Sequence, residues 1–532
     1  YIMVRSSFKK EIRRFGTRKL LRSIRHKSLI HKVMSDLCIT KENSVNIHVA
    51  CERDLAKELS EYFTFKVPGH KFMPSYRKKN WDGTIKLYNI YSQNLYAGLL
   101  PYVKKFANDR GYSLEIEESL KPSGAILSHE HLKEWINDKL NIQAAGKKIE
   151  VYDHQLDAIQ HAIRNDRCLL LSPTGSGKSL IIYCLLRYFQ SLIPKDKKIL
   201  VVVPTTSLVT QMYNDFKDYS SNDKSWDVRS ICHKIFGGQE KETNHQVVIS
   251  TWQSIYKLPI EYFDQFDVVF GDECHLFKAK SLTQLMTKLK DCPHRIGTTG
   301  TLDGTLTHKL VIEGLFGSVY NVTSTKDLID KDLLSKLKID CLLLSHGRPE
   351  REAMKKAKYQ DEMDFLVSNE KRNKFIENLA NKLEGNTLVL FQYVEKHGKK
   401  LYEQIKKSAK GRQVFFVYGE TDVEVRESVR QIAEDVNNAI IVASYGTFST
   451  GVSIRRLHNI IFASPSKSRV RVLQSIGRQL RKSEHKEHAK LYDIGDDLSW
   501  KSYKNHTLRH FLERIKIYKS EGFSFSPHTI QL

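Results

Sequence analysis

No two of the eight cysteines stand in C-x-x-C spacing, and they are scattered from Cys38 to Cys341. That absence argues against a zinc site and against a disulfide framework, and it leaves the reduced thiols of a cytoplasmic protein as the expectation. No apolar run approaches the ~20 residues that cross a bilayer, so a membrane span is excluded. Solenoid repeats and low-complexity linkers are missing as well. Acids are scarce beside bases: 61 Asp and Glu face 85 Lys and Arg in 532 residues, a formal net charge of +24. Such a surplus repels itself and is relieved by a polyanion. Nucleic-acid phosphates are the first candidate, with anionic lipid or a plain basic surface as the others. At 40% hydrophobic and 27% charged residues the chain is not disordered wholesale. Roughly 150 residues per domain would give three or four compact units.

Composition and periodicity divide the chain into 1–33, 34–145, 146–328 and 329–532. The first stretch carries eleven bases against Glu11. It reads as a basic arm, a transit peptide or a leader outside the folded unit. From Ser44 a strand (Val45–Val49) and a helix (Glu52–Phe63) open a small α+β module, with a second helix over Pro101–Arg110. Asp82-Gly83 between extended runs predicts a hairpin turn. Beyond residue 146 short apolar runs alternate with helical stretches. Strands are expected at Cys168–Leu171, Ile199–Val203, Val247–Ser250, Val268–Gly271 and Arg295–Thr298, then at Thr387–Phe391, Val414–Tyr418, Ala439–Ala443 and Ile460–Ala463. A break is expected around Asp327 to Ser345. The pattern predicts two tandem α/β domains with parallel sheets covered on both faces.

Ser172-Pro173-Thr174-Gly175-Ser176-Gly177-Lys178-Ser179 lies between an apolar strand and an apolar helix. Its glycines let backbone N–H groups turn toward phosphate oxygens at a helix N-terminus. Lys178 would pair with the β and γ phosphates and Ser179 would bind Mg2+. The usual first glycine is replaced by Ser172. Val268–His275 brings Asp272 to a strand end as a Mg2+ ligand, with Glu273 beside it as general base for the attacking water. Arg478 and Arg481, three apart, are candidate fingers on the transferring phosphoryl group, which would place ATP between two domains. In the N-terminal module, Arg77, Lys78 and Lys79 fit phosphates, while Trp81 either stacks on a base or serves the core. Lys467, Arg469 and Arg471 form a second basic cluster.

In this order the motifs over residues 148–482 resemble those of superfamily two DExH helicases. The resemblance implies two RecA-like domains. It also implies an adenine-reading pair in Tyr152 and Gln155, and ATP and Mg2+ held by Thr174, Gly175, Ser176, Gly177, Lys178, Ser179, Asp272 and Gly451. Gln474, with Arg478, Arg481, Lys178 and Glu273, would serve hydrolysis. Pro204, Thr205, Thr206, Thr251, Trp252, Gln392 and Thr450 would grip a strand, and Thr299-Gly300-Thr301 would couple the two events. Thr299-Gly300-Thr301, similar to motif three, departs from the commoner Ser-Ala-Thr, and Ser444–Ser453, which resembles motif five, ends in Ser453 where many relatives carry Asp. More narrowly, Asn80–Leu87, Ala443–Gly446 and Leu512–Tyr518 resemble phage recombination helicases over residues 44–532. That implies ATP-driven unwinding or branch migration of forks, four-way junctions and R-loops by a monomeric motor in the host cytoplasm, with duplex bound by the N-terminal module. The rivals are a duplex translocase that never separates strands and an ATP-switched annealing protein.

Overall fold

Alternation of apolar and polar side chains decides the first layer. Leu37, Ile39, Ile47 and Val49 all point to one face and are fully buried. In the computed structural model, which describes residues 35–122, 124–277, 279–302, 305–450, 454, 456–466, 468–480 and 488–532, these residues form a four-stranded sheet. Its order is Asn94–Tyr96, Asn46–Cys51, Leu37–Lys41, Leu114–Ile116. Helices Arg53–Tyr62 and Leu100–Arg110 cover the apolar face through Leu59, Val103 and Phe106. The expected α+β module is therefore present, and residues 1–34, which include the basic leader 1–33, lie outside the described residues.

The expected hairpin at Asp82-Gly83 is corrected. Strand Thr84–Lys86 does pair antiparallel with an earlier strand, but that strand is Thr64–Lys66. Residues 67–83 lie between them and contain a turn at His70–Phe72 and a short helix at Pro74–Arg77. The Asp82 carboxylate accepts from the Thr84 backbone N–H and hydroxyl, so Asp82 caps the entry of a strand instead of centring a tight turn.

The module is docked on the next domain. A Cβ at Gly98 would stand 1.9 Å from the Glu313 carbonyl oxygen, so the two backbones touch. The Tyr102 hydroxyl donates to buried Glu313 at 2.6 Å, Ser44 N–H donates to the Lys290 carbonyl at 2.7 Å, and Arg167 Nη2 donates back to the Ser44 carbonyl at 2.6 Å.

The second sheet has seven parallel strands in the order Cys232–Ile235, Val247–Thr251, Lys198–Val203, Phe266–Gly271, His294–Thr299, Arg167–Leu171, Val319–Asn321. Along Arg167–Leu171 and Lys198–Val203 successive side chains enter two different cores: Cys168, Leu170, Ile199 and Val201 one, Leu169, Leu200 and Val202 the other. That is why these runs are apolar without alternation: both faces are buried. The third sheet repeats the arrangement with seven parallel strands, Val414–Val417, Ile440–Ser444, Thr387–Phe391, Asn459–Phe462, His488–Asp497, Lys336–Ser345, Phe525–Gln531.

All nine apolar strands expected from the sequence are present within two residues at each end. The expected break around Asp327 to Ser345 is itself structured. It holds helix Thr325–Asp330 and the ten-residue strand Lys336–Ser345, which pairs on both sides. The C-terminal helix His506–Ser520 is tied to the sheet by Arg514, which donates from Nε to both Asp493 oxygens at 2.9 Å in a fully buried pair. No described helix is long and apolar enough to cross a membrane.

Candidate active site

Parallel sheets gather their loops at the carboxyl ends of the strands, and here that edge collects the motifs. Strand Arg167–Leu171 runs into the phosphate loop, and Ser172 N–H donates to the Thr299 carbonyl of the neighbouring strand at 2.9 Å. Gly175 and Gly177 have φ of +88° and +86°, in the left-handed region that side chains disfavour. A Cβ at Gly177 would also stand 2.2 Å from Gln155 Nε2. Ser172, in place of the usual first glycine, has no positive φ. Its hydroxyl lies 2.5 Å from that of Ser176, which donates to the Pro173 carbonyl at 2.7 Å. The substitution therefore ties the loop together. Helix Lys178–Gln190 starts directly behind it, presenting its positive end. Lys178 Nζ donates to the carbonyls of Ser172 and Pro173 at 3.1 and 3.3 Å, so its ammonium lies inside the loop. The Ser179 hydroxyl is 2.9 Å from that of Tyr219.

Strand Phe266–Gly271 delivers Asp272 to the same edge. Burial, and then the charge of Glu273, push the Asp272 carboxyl up, against the opposing pull of the Lys178 ammonium and of Thr298, whose hydroxyl donates to Asp272 at 2.8 Å. A divalent cation between Ser179 and Asp272 would offset that burden on two adjacent acids. The donor set suits Mg2+, which keeps several waters and takes one or two protein oxygens beside phosphate oxygens. Among the described residues no group of three or more His, Cys, Asp or Glu side chains is placed to hold a metal ion. Glu273 adopts φ +51°, rare for a residue with a side chain and a mark of local strain at functional positions. Its Oε2 lies 3.3 Å from His275 Nδ1, which lies 3.1 Å from the Thr299 hydroxyl; that hydroxyl donates to the Thr301 carbonyl at 3.0 Å. A polar chain thus runs from the candidate base to Thr299-Gly300-Thr301. Sequence reasoning assigned no role to His275 or Thr298. Their spacing, two residues past the glutamate and at the end of the adjacent strand, is the signal that points to them.

Tyr152 precedes helix Asp153–Asn165 and is 48% exposed, its ring stacked on His154 at 5.8 Å. Gln155 is buried. Its Oε1 accepts from Tyr152 N–H at 3.0 Å and its Nε2 donates to the Ser176 carbonyl at 2.9 Å, where His154 Nε2 also lies within 3.1 Å. In this geometry Gln155 braces the phosphate loop, and Tyr152 presents the open ring.

The other sheet supplies the opposite wall. Helix Arg469–Gln479 meets the loop at Gly477, where a Cβ would stand 2.6 Å from Thr174 Cβ. A Cβ at Gly175 would stand 2.8 Å from Leu334 of the same lobe, and Ser335 N–H donates to the Leu480 carbonyl at 2.8 Å. Gln474 is half-buried on that helix, while buried Gln479 is spent on the carbonyls of His458 and Lys490. Arg481, Gly451 and Lys467 lie outside the described residues, as do the side chains of Arg478, Thr450 and Arg469. Arg471 stands 5.8 Å from the Tyr445 ring centroid.

Farther along the first sheet's edge, Pro204, Thr205, Thr206, Thr251 and Gln253 line a hollow of about 620 Å³. Gln253 Nε2 donates to the Pro204 carbonyl at 3.3 Å, Thr205 caps helix Thr206–Tyr219, and the hydroxyls of Thr251 and Ser254 lie 2.8 Å apart. Trp252 is not brought to this hollow: it packs edge-on against Tyr256 and against the core. Gln392 follows strand Thr387–Phe391 in the other lobe, its N–H donating to the Ser464 hydroxyl at 3.1 Å. In the N-terminal module Arg77, Lys78 and Lys79 are exposed, and Trp81 is half-buried with its indole N–H donating to the Thr84 carbonyl at 2.7 Å. Trp81 and Arg77 border an open hollow of about 810 Å³.

Residues 36–117 match the family described as DNA helicase UvsW, N-terminal; residues 148–304 match type III restriction enzyme, res subunit; and residues 370–483 match the helicase conserved C-terminal domain. The chain is 35% identical over 504 residues to the ATP-dependent DNA helicase uvsW of Enterobacteria phage T4, covering 92% of this chain and 98% of that one. The crystal structure of T4 UvsW aligns over 93% of this chain and 99% of that one at 33% identity, with a TM-score of 0.49. The type ISP restriction-modification enzyme LlaBIII bound to DNA shares the fold over 73% of this chain and 31% of that one, at 16% identity and a TM-score of 0.53. With near-complete overlap at that identity and three domain matches in order along its length, the chain belongs to the UvsW family of ATP-dependent DNA helicases.

Proposed function

We propose that the protein remodels branched DNA, separating or migrating strands at forks, four-way junctions and R-loops in recombination and repair, as a monomeric motor in the cytoplasm of a phage host. One observation above all supports this reading: the helix bearing Gly477 seats on Thr174 of the phosphate loop, so a nucleotide there lies between lobes that each hold part of its chemistry. Tyr152 stacks on adenine, with Gln155 setting the loop beneath it. Backbone N–H groups from Thr174 to Ser179 take the phosphates, with Lys178 on the β and γ groups. Ser179 and Asp272 hold Mg2+, which when bound neutralises phosphate charge. Glu273, steered by His275, takes the proton of the attacking water. Arg478 and Arg481 of the second lobe neutralise the transferring phosphoryl group, and Gln474 and Gly451 of that lobe complete the set. Hydrolysis removes the charge that draws the lobes together, and Thr299–Thr301 passes that change to the strand-facing edge. There Pro204, Thr205, Thr206 and Thr251 of one lobe and Gln392 and Thr450 of the other hold the backbone, with Trp252 buttressing from the core. Arg77, Lys78 and Lys79, with Trp81 beneath, hold the duplex.

The test is strand separation with ATP on a fork, a four-way junction, an R-loop and a plain duplex. The three branched substrates should be processed faster than the plain duplex. Reversing Arg77, Lys78 and Lys79 to Glu should weaken duplex binding and flatten its salt dependence, by about 0.9 in log–log slope for each phosphate no longer neutralised. ATP turnover that leaves all four substrates intact would favour the duplex translocase. Processing that persists without turnover would favour the annealing protein.

A further inference from the structure

The excursion that bears the basic triplet also carries an apolar feature that charge alone does not explain. In the excursion 67–83, Phe72 is 76% exposed and Met73 39% exposed. Leaving an aromatic ring in water forgoes stabilisation that a folded chain ordinarily takes, so an exposed phenylalanine held on a hydrogen-bonded support suggests a surface kept for a partner. The support is hydrogen-bonded throughout. Val67 N–H donates to the Gly83 carbonyl at 2.8 Å, Phe72 N–H to that of Gly69 at 3.0 Å, Met73 N–H to that of His70 at 2.9 Å, and Arg77 N–H to that of Met73 at 3.0 Å. His70 Nδ1 lies 2.8 Å from the Val67 carbonyl, and its ring packs edge-on against Tyr76 at 4.8 Å. Lys71, Arg77, Lys78 and Lys79 stand exposed around this tip. The carboxylate nearest in sequence, Asp82, is bonded to Thr84.

An apolar tip in a cationic collar matches one nucleic-acid feature best. At a branch point the last base pair offers a flat, unstacked face, and phosphates of both strands flank it. A continuous duplex offers no such face. Resting on the reading of this chain as a strand-separating motor, we propose that Phe72, with Met73 beside it, is a wedge that stacks on the terminal base pair at the branch point while Lys71, Arg77, Lys78 and Lys79 hold the flanking phosphates. The wedge is fixed to the first motor domain through the Gly98–Glu313 backbone contact and the Tyr102–Glu313 and Ser44–Lys290 hydrogen bonds. Movement of the second lobe therefore drives the duplex against a stationary edge.

The experiment uses the full chain on a forked duplex with 2-aminopurine at the first paired position. Phe72→Ala should slow strand separation about tenfold or more, the fold-change carried by one base–aromatic contact. Its duplex affinity and DNA-stimulated ATP turnover should stay within about twofold of the parent, as for other exposed substitutions. Phe72→Trp should restore separation. Parental separation by Phe72→Ala would overturn the wedge, as would a loss of duplex affinity in proportion to the loss of separation. A parent chain that hydrolyses ATP yet opens no fork would instead overturn the strand-separating reading itself, and the wedge with it.

Discussion

Glu273→Gln should abolish ATP turnover while leaving nucleotide bound. The substitution keeps the size of the side chain and its contact with His275, but removes the group that takes a proton from water, an effect of about 10² to 10⁴ in rate. Loss of a negative charge beside Asp272 also lightens the burden on that buried carboxyl, which Glu273 pushes up. ATP affinity should accordingly hold or rise. Strand separation should fall with turnover, because a bound but uncleaved nucleotide keeps the lobes in one arrangement. The measurements are steady-state phosphate release, equilibrium binding of ATP and fork opening on one preparation. Turnover within severalfold of the parent would remove Glu273 from the role of base, and the His275–Thr299 chain would then be structural only.

Gly477→Val should block hydrolysis from the opposite wall. Even the first carbon of a side chain at Gly477 would lie 2.6 Å from Thr174 Cβ and 3.0 Å from its Oγ1, closer than packed atoms tolerate. The branched valine forces helix Arg469–Gln479 away from the phosphate loop. A displacement near 1 Å at a catalytic contact can cost on the order of 10² in rate. Helix propensity is not the weak point, since valine in a helix interior is no worse than glycine, which lies about 1 kcal/mol below alanine. ATP affinity at the loop of the first lobe should change little, because Lys178, Ser179 and Asp272 are untouched. Pairing Gly477→Ala with Thr174→Gly should recover the turnover that Gly477→Ala alone removes. No recovery would mean that the two residues do not oppose each other in the working enzyme.

Much of this architecture was legible because buried parallel strands have an unambiguous signature. Val247–Thr251 and Thr387–Phe391 are short apolar runs ending where motif residues begin, and each is buried throughout. The elements missed are those whose burial is uneven. Cys232–Ile235 and Phe525–Gln531 are sheet edges with polar or exposed positions. Lys336–Ser345 opens with exposed lysines before its side chains enter the core, so its first half resembles a linker. Asp82-Gly83 misled for another reason: turn chemistry shows that the chain reverses, not which strand it returns to. The candidate groups at the strand ends, Lys178, Ser179, Asp272 and Glu273, stood out in the sequence because phosphate chemistry demands particular groups at fixed spacing. Contacts across the seam, such as Gly477 with Thr174 or Leu334 with Gly175, join segments far apart in sequence and leave no local signal.

If hydrolysis needs groups from both lobes, a single change in the second lobe should stop it without disturbing the first. Arg481→Ala is that change. Nucleotide affinity and ATP turnover should be measured together on a saturating fork. A shared site predicts an ATP Kd close to that of the parent and turnover lower by about 10³, the contribution of an arginine finger. Turnover near the parental rate would contradict it.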